Sequence, residues 1–158
     1  LTISIITVTI QAPMNNADMA KQIVEPVEMP KTVLVVEDNA GNFMLINRML
    51  FNAGIKVEWK TSGYEVVEFA ENLPALDLIL MDIRLPYEDG YAAFRKLRAN
   101  DKFKHTPIVA VTAVSGLEQM KIAKLAGFDG FIGKPLDPDR FPEQISRLLS
   151  GQPVWEFE

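Results

Sequence analysis

The chain has no cysteine and only one histidine. A disulfide framework, a thiolate nucleophile and a cysteine-ligated metal are therefore excluded. The lack of thiols fits a reducing compartment, and a cytoplasmic location is expected. Positive charge is also scarce: 16 Lys and Arg face 21 Asp and Glu, for a formal charge of −5. No dense Lys/Arg cluster occurs, so direct binding of nucleic acid, which needs a basic stripe, is not expected. Long apolar runs are missing too. The run LTISIITVTI at the start is far short of the roughly 20 residues that span a bilayer. It also lacks the charged start and small-residue cleavage site of a secretory signal, and no membrane association is expected. Its β-branched residues would suit an extra strand. It is read instead as an upstream extension, with Met14, Met19 and Met29 as candidate natural starts.

What is present suits one globular domain. Of 158 residues, 48% are hydrophobic and 23% charged, enough apolar side chain for a single core. Residues 1–30 read as an extension and linker, with Pro13, Pro26 and Pro30 and no sustained period. Residues 31–150 carry alternating strand and helix signals, and 151–158 form a short acidic and aromatic tail.

Within the central stretch, TVLVV (32–36) is an apolar, β-branched run of the kind buried in parallel sheets. Asn42 to Ala53 has helical spacing, with Ile46, Met49, Leu50 and Ala53 on one face and Gly54 at the C-cap. Lys56 to Lys60 alternates as a second strand. Ser62 and Glu65 form a capping box for a helix running to about Asn72. Strands follow at 76–81, 107–111 and 128–132, and helices at 88–99, 115–126 and 138–149. Five strands, each followed by a helix, predict an α/β fold with a parallel sheet covered on both faces.

In open α/β sheets, ligands bind beyond the carboxyl ends of the strands. Those ends carry Glu37 and Asp38 after the first strand, Asp82 after the third, Thr112 after the fourth and Lys134 after the fifth. Three carboxylates brought together repel one another and call for positive charge. Lys134 supplies one. A hard divalent cation with oxygen ligands, Mg2+, would supply the rest. An Asp carboxylate can attack phosphorus to give an aspartyl phosphate. The cation and Lys134 would stabilise the transferring phosphoryl group, and Thr112 could donate to it.

The segments VLVVEDN (33–39), LILMDIRLP (78–86), IVAVTA (108–113) and FIGKP (131–135) resemble, in order and spacing, the four signature segments of response-regulator receiver domains. The resemblance covers about Lys31 to Ser150. It implies a doubly wound, flavodoxin-like sheet of five strands in the order 2-1-3-4-5, with five helices. It implies that Glu37 and Asp38 are the acid pair that holds Mg2+, as Glu-Asp in place of Asp-Asp. Asp82 would be the phosphoacceptor, Arg84 would offer a backbone carbonyl to the metal, and Thr112 and Phe131 would be the switch hydroxyl and aromatic. Lys134 would be the signature lysine, preceding a cis bond to Pro135. Arg84 and Val114 stand where the family tunes dephosphorylation.

The function expected from this resemblance is a phosphorylation-activated response regulator of two-component signalling. It would take a phosphoryl group from a sensor histidine kinase or a histidine phosphotransfer protein and switch a surface for a downstream protein of unknown identity. The resemblance also allows a phosphorylation-dependent homodimer. The first helix is the candidate kinase-facing surface, and the fourth helix to fifth strand region the candidate output surface. The chain is not expected to be an enzyme beyond self-phosphorylation and weak autodephosphorylation. Aspartyl-nucleophile phosphatases usually carry a second Asp two residues on, where Arg84 stands. His105, in a loop before Thr106-Pro107, is not expected to donate a phosphoryl group. The alternatives are a receiver piece of a hybrid histidine kinase and an unphosphorylated adaptor.

Overall fold

The computed structural model describes residues 29–114 and 116–157. The reading of Leu1 to Ile10 lies outside the described residues.

Five strands and five helices alternate: β1 (Thr32–Val36), α1 (Ala40–Asn52), β2 (Lys56–Lys60), α2 (Val66–Glu71), β3 (Leu78–Met81), α3 (Gly90–Ala99), β4 (Ile108–Thr112), α4 (Leu117–Ala126), β5 (Gly130–Gly133) and α5 (Phe141–Leu149). A 3-10 turn, Asp101–Phe103, precedes β4. The strands are parallel and in the order expected, β2-β1-β3-β4-β5.

The residues of β1, β3, β4 and β5 are buried on both faces because both faces are covered, whereas β2, KVEWK, is only partly buried. Leu34, Val36, Ile79, Met81, Ala110 and Phe131 share one core cluster with Val66, Phe94, Leu97 and Ala123 of α2, α3 and α4. Val33, Val35, Leu80, Val111 and Ile132 share the other with Ile46, Met49 and Leu50 of α1 and Phe141, Ile145 and Leu148 of α5. Successive residues along each strand thus feed opposite layers, and residues two apart share one.

Among the described residues the sheet has six strands, one more than the sequence suggested. Trp155–Glu156 (β6) pairs in parallel with Phe131 and Ile132 of β5. Two residues in an acidic tail carry no strand periodicity; the pairing depends on a groove built by residues distant in sequence. The Glu156 carboxylate accepts from Gln144 Nε2 at 2.7 Å and from Arg140 and Arg147, each at 2.9 Å.

These contacts imply a pH dependence. The hydrogen bond from Gln144 leads in holding the Glu156 carboxyl below the usual 4.5; partial burial opposes it, and Arg147 and Arg140 add to it. A depressed carboxylate stabilises the fold above its unfolded pKa and loses that contribution as pH falls through the folded value. Glu156→Gln should therefore lower the melting temperature at pH 7, with the difference from wild type closing below about pH 4. A gap that is unchanged in acid would remove the ionic account.

The capping box did not form. The helix α2 begins at Val66, and Glu65 sits at its N-cap in the left-handed region (φ 54°) with no side-chain cap bond. The preceding turn is pinned to α3: a Cβ on Gly63 would fall 2.9 Å from that of Ala93. The real caps are Asn39, accepting from Asn42 N at 3.0 Å, and Asp89, accepting from Ala92 N at 2.8 Å.

Candidate functional site

Strand register assembles the site. Val36 pairs with Met81, so the residues that follow, Glu37 and Asp82, emerge side by side. The Asp82 amide donates to the Val36 carbonyl at 2.9 Å. Thr112 pairs with Gly133, and the Lys134 amide donates to the Thr112 carbonyl at 2.9 Å. Parallel pairing thus brings the ends of β1, β3, β4 and β5 to one edge. The peptide bond between Lys134 and Pro135 is cis, as the resemblance implied.

The Lys134 ammonium lies 2.5 Å from Glu37 Oε2 and 2.6 Å from Asp82 Oδ2. Glu37 and Asp82 are buried, at 2% and 7% exposure, whereas Asp38 faces solvent. Ligand oxygens of all three carboxylates lie within 4.8 Å of one another. Burial pushes the Asp82 carboxyl above its usual 3.8, while the Lys134 hydrogen bond and the Arg84 amide, 2.9 Å from Oδ1, pull it back. Burial works against the charge on Lys134, but the hydrogen bonds and charges of Asp82 and Glu37 together hold its pKa above the usual 10.5.

Glu37 is held more firmly than sequence reasoning foresaw. Its Oε1 accepts from the Asn39 amide at 3.0 Å and from Asn42 Nδ2 at 3.1 Å, and its backbone carbonyl accepts from the Trp59 indole at 2.8 Å. Trp59 in turn stacks on Phe43 of α1, with centroids 4.1 Å apart and planes 3° apart. The sequence marks Asn42 only as the start of a helix. Its place in the first turn after Glu37 was the available signal. The Trp59 contact had none, because it joins β2 to the end of β1.

Thr112 is fully buried, and its Oγ1 accepts from Val114 N at 3.3 Å, a long bond. Phe131 is also fully buried, between Ala110 and Trp155 in the sheet register. Arg84 is exposed in the loop after β3. His105 stands away from the site, lining a groove of about 520 Å³ with Asp77, Asp129 and Pro153.

Three carboxylates set against one ammonium leave the pocket short of positive charge. An all-oxygen donor set with Asp38 open to water suits a hard divalent cation such as Mg2+. Oε1 of Glu37 is committed twice, to Asn39 and Asn42, and Oε2 to Lys134; each Asp82 oxygen accepts once, from Arg84 N and Lys134, and the Asp38 carboxylate is open to water.

The family model for the response regulator receiver domain matches residues 33–146. The chain is 35% identical over 122 residues to the polar-differentiation response regulator DivK of Brucella anthropi, covering 77% of this chain and 98% of that one. It is 33% identical over 127 residues to the signal transduction histidine-protein kinase BarA of Escherichia coli, covering 80% of this chain but 14% of that much longer one. Among solved structures, chemotaxis protein CheY4 of Vibrio cholerae matches with a TM-score of 0.69 at 26% identity, over 75% of this chain and 98% of that one. The receiver domain of the sensor histidine kinase PA1611 from Pseudomonas aeruginosa matches with a TM-score of 0.66 at 34% identity, over 77% and 96%; that structure holds a magnesium ion in its active-site cleft. Fold, register and family match agree that the chain belongs to the response-regulator receiver domains of two-component signalling.

Proposed function

We propose that the chain is a phosphorylation-activated switch in which Asp82 accepts a phosphoryl group from a phosphohistidine donor. The observation that carries this reading is the Lys134 ammonium bridging Glu37 and Asp82 at the sheet edge, with Asp38 beside them. An Asp82 oxygen attacks phosphorus. The O–P bond forms as the P–N bond of the donor breaks, and the imidazole leaves with the electron pair and takes a proton from solvent. Asp38, Asp82 and the Arg84 carbonyl would hold Mg2+, with Glu37 fixing the pocket behind them. The bound ion supplies charge neutralisation for the phosphoryl oxygens.

Lys134 is already aimed at the reacting carboxylate and then serves the incoming phosphoryl group. Thr112 exchanges its long bond to Val114 for a bond to a phosphoryl oxygen. Phe131 lies inward next to the path of that movement and transmits it to the β5 edge. A histidine kinase or histidine phosphotransfer protein is the partner on the donor side.

The likeness to the receiver of BarA and to that of PA1611 favours a second reading, in which the same chemistry serves a hybrid kinase.

Incubation with Mg2+ and acetyl phosphate should add a single phosphoryl group by intact mass. The adduct should require Mg2+ and be absent in Asp82→Asn. An adduct that persists in the variant would place the acceptor elsewhere. No adduct from acetyl phosphate or phosphoramidate would favour an unphosphorylated adaptor.

A further inference from the structure

The C-terminal segment Val154–Phe157 lies beyond the family match, which ends at residue 146. It is seated in the manner of a bound peptide. Its backbone adds to the free edge of β5, with the Phe131 amide donating to the Val154 carbonyl at 2.7 Å. Its side chains alternate between two walls. Val154 is fully buried in the cluster on the α5 side. Glu156 points to the same side, where Arg140, Gln144 and Arg147 converge on its carboxylate. Trp155 and Phe157 turn to the other side, against the cluster that contains Phe131. There the Lys124 ammonium of α4 sits 5.3 Å from the Trp155 ring centroid, a cation–π contact.

The floor of this groove is open because β5 has no side chain at Gly130. A Cβ there would come within 2.7 Å of the Val154 carbonyl oxygen. Main-chain bonding at a sheet edge, with alternate side chains in matched sites, is the recognition mode of strand addition.

We propose that the β5 edge between α4 and α5 is a peptide-binding groove for an extended segment of aliphatic–aromatic–acidic–aromatic pattern, and that the chain's own Val154–Phe157 is its resident ligand. A protein partner using this face would bring a segment of the same pattern and displace the tail. Because the tail packs against the Phe131 cluster, the occupant also sets the surroundings of that ring. Seating of the tail rests on the β5 pairing and the Glu156 contacts, not on the chemistry at Asp82, while Phe131 links the two.

Charge reversal at Glu156 tests the idea in the full chain. Calorimetric titration with the free peptide QPVWEFE should show binding to Glu156→Arg at least ten-fold tighter than to wild type, whose groove is filled. The same peptide carrying the Glu156→Arg change should bind at least ten-fold more weakly to the Glu156→Arg chain. Equal binding to both chains, or indifference to the peptide's acidic residue, would overturn the proposal. If Glu156→Arg loses the circular dichroism of the folded chain, Glu156→Gln replaces it and must show the same order of affinities. A wild-type dimer that dissociates on adding excess peptide would overturn the intramolecular seating.

Discussion

Lys134→Ala should slow phosphoryl uptake from acetyl phosphate by about 100-fold or more, the scale seen when one fixed donor to a transition-state charge is removed. Lys134 is the only cationic side chain that bridges Glu37 and Asp82 among the described residues. It is rigidly placed, since its backbone amide is tied to the Thr112 carbonyl and its ammonium to two buried carboxylates. Extra Mg2+ should not restore the rate. The cation relieves repulsion among the carboxylates, but it does not replace a donor approaching from β5. The pH profile should move as well. Burial already raises the Asp82 carboxyl, and Lys134 is the leading influence holding it down. Its removal raises that pKa further, so the acid limb of the uptake rate, which requires ionised Asp82, should shift to higher pH. Single-turnover uptake followed by mass across pH 4–8 checks both parts. A rate within about three-fold of wild type would remove Lys134 from the mechanism.

Gly90→Ala should cost about 3 kcal/mol of stability, at the upper end of ordinary overpacking. In an exposed helix the same change would gain up to about 1 kcal/mol. Here the sign reverses, because Gly90 opens α3 directly against the end of β3. A Cβ would fall 2.3 Å from the Asp82 carbonyl oxygen and 2.7 Å from the Ile83 Cα, both backbone atoms that cannot swing aside. The Gly90 amide also donates to the Ile83 carbonyl at 2.8 Å, which fixes the approach. Relief therefore moves the peptide that carries Asp82, and phosphoryl uptake should fall along with the urea midpoint. An unchanged or higher midpoint would show that α3 can retreat without disturbing β3.

Four of the five longer strands were legible because burial on both faces selects uninterrupted apolar runs, and β2 was legible by its alternation; the strand ends then marked where chemistry could collect. Register turned that list of ends into neighbours: Glu37 beside Asp82, and Thr112 beside Gly133, one residue before Lys134. Helix starts were less legible. The helix α2 lost its expected cap because the turn before it answers to packing against α3. The helix α3 starts after Asp89, two residues later than its apolar pattern suggested. What the sequence concealed was mainly contact between distant residues: the Trp59 indole on the Glu37 carbonyl, and the tail on β5. Neither leaves a periodic trace, since each is specified by the surface it meets.

The two tryptophans sit on opposite margins of the sheet, Trp59 on β2 and Trp155 on β6. Five interstrand steps separate the two strands, roughly 24 Å at about 4.8 Å per step. Trp59 is bonded to the residue that anchors the acidic pocket, and Trp155 is clasped by the groove of the tail. The chain thus carries an intrinsic fluorophore at each end of the path from the acidic pocket to the tail. Replacing one indole at a time separates emission that follows events at the carboxylates from emission that follows the seating of the tail, with no dye attached.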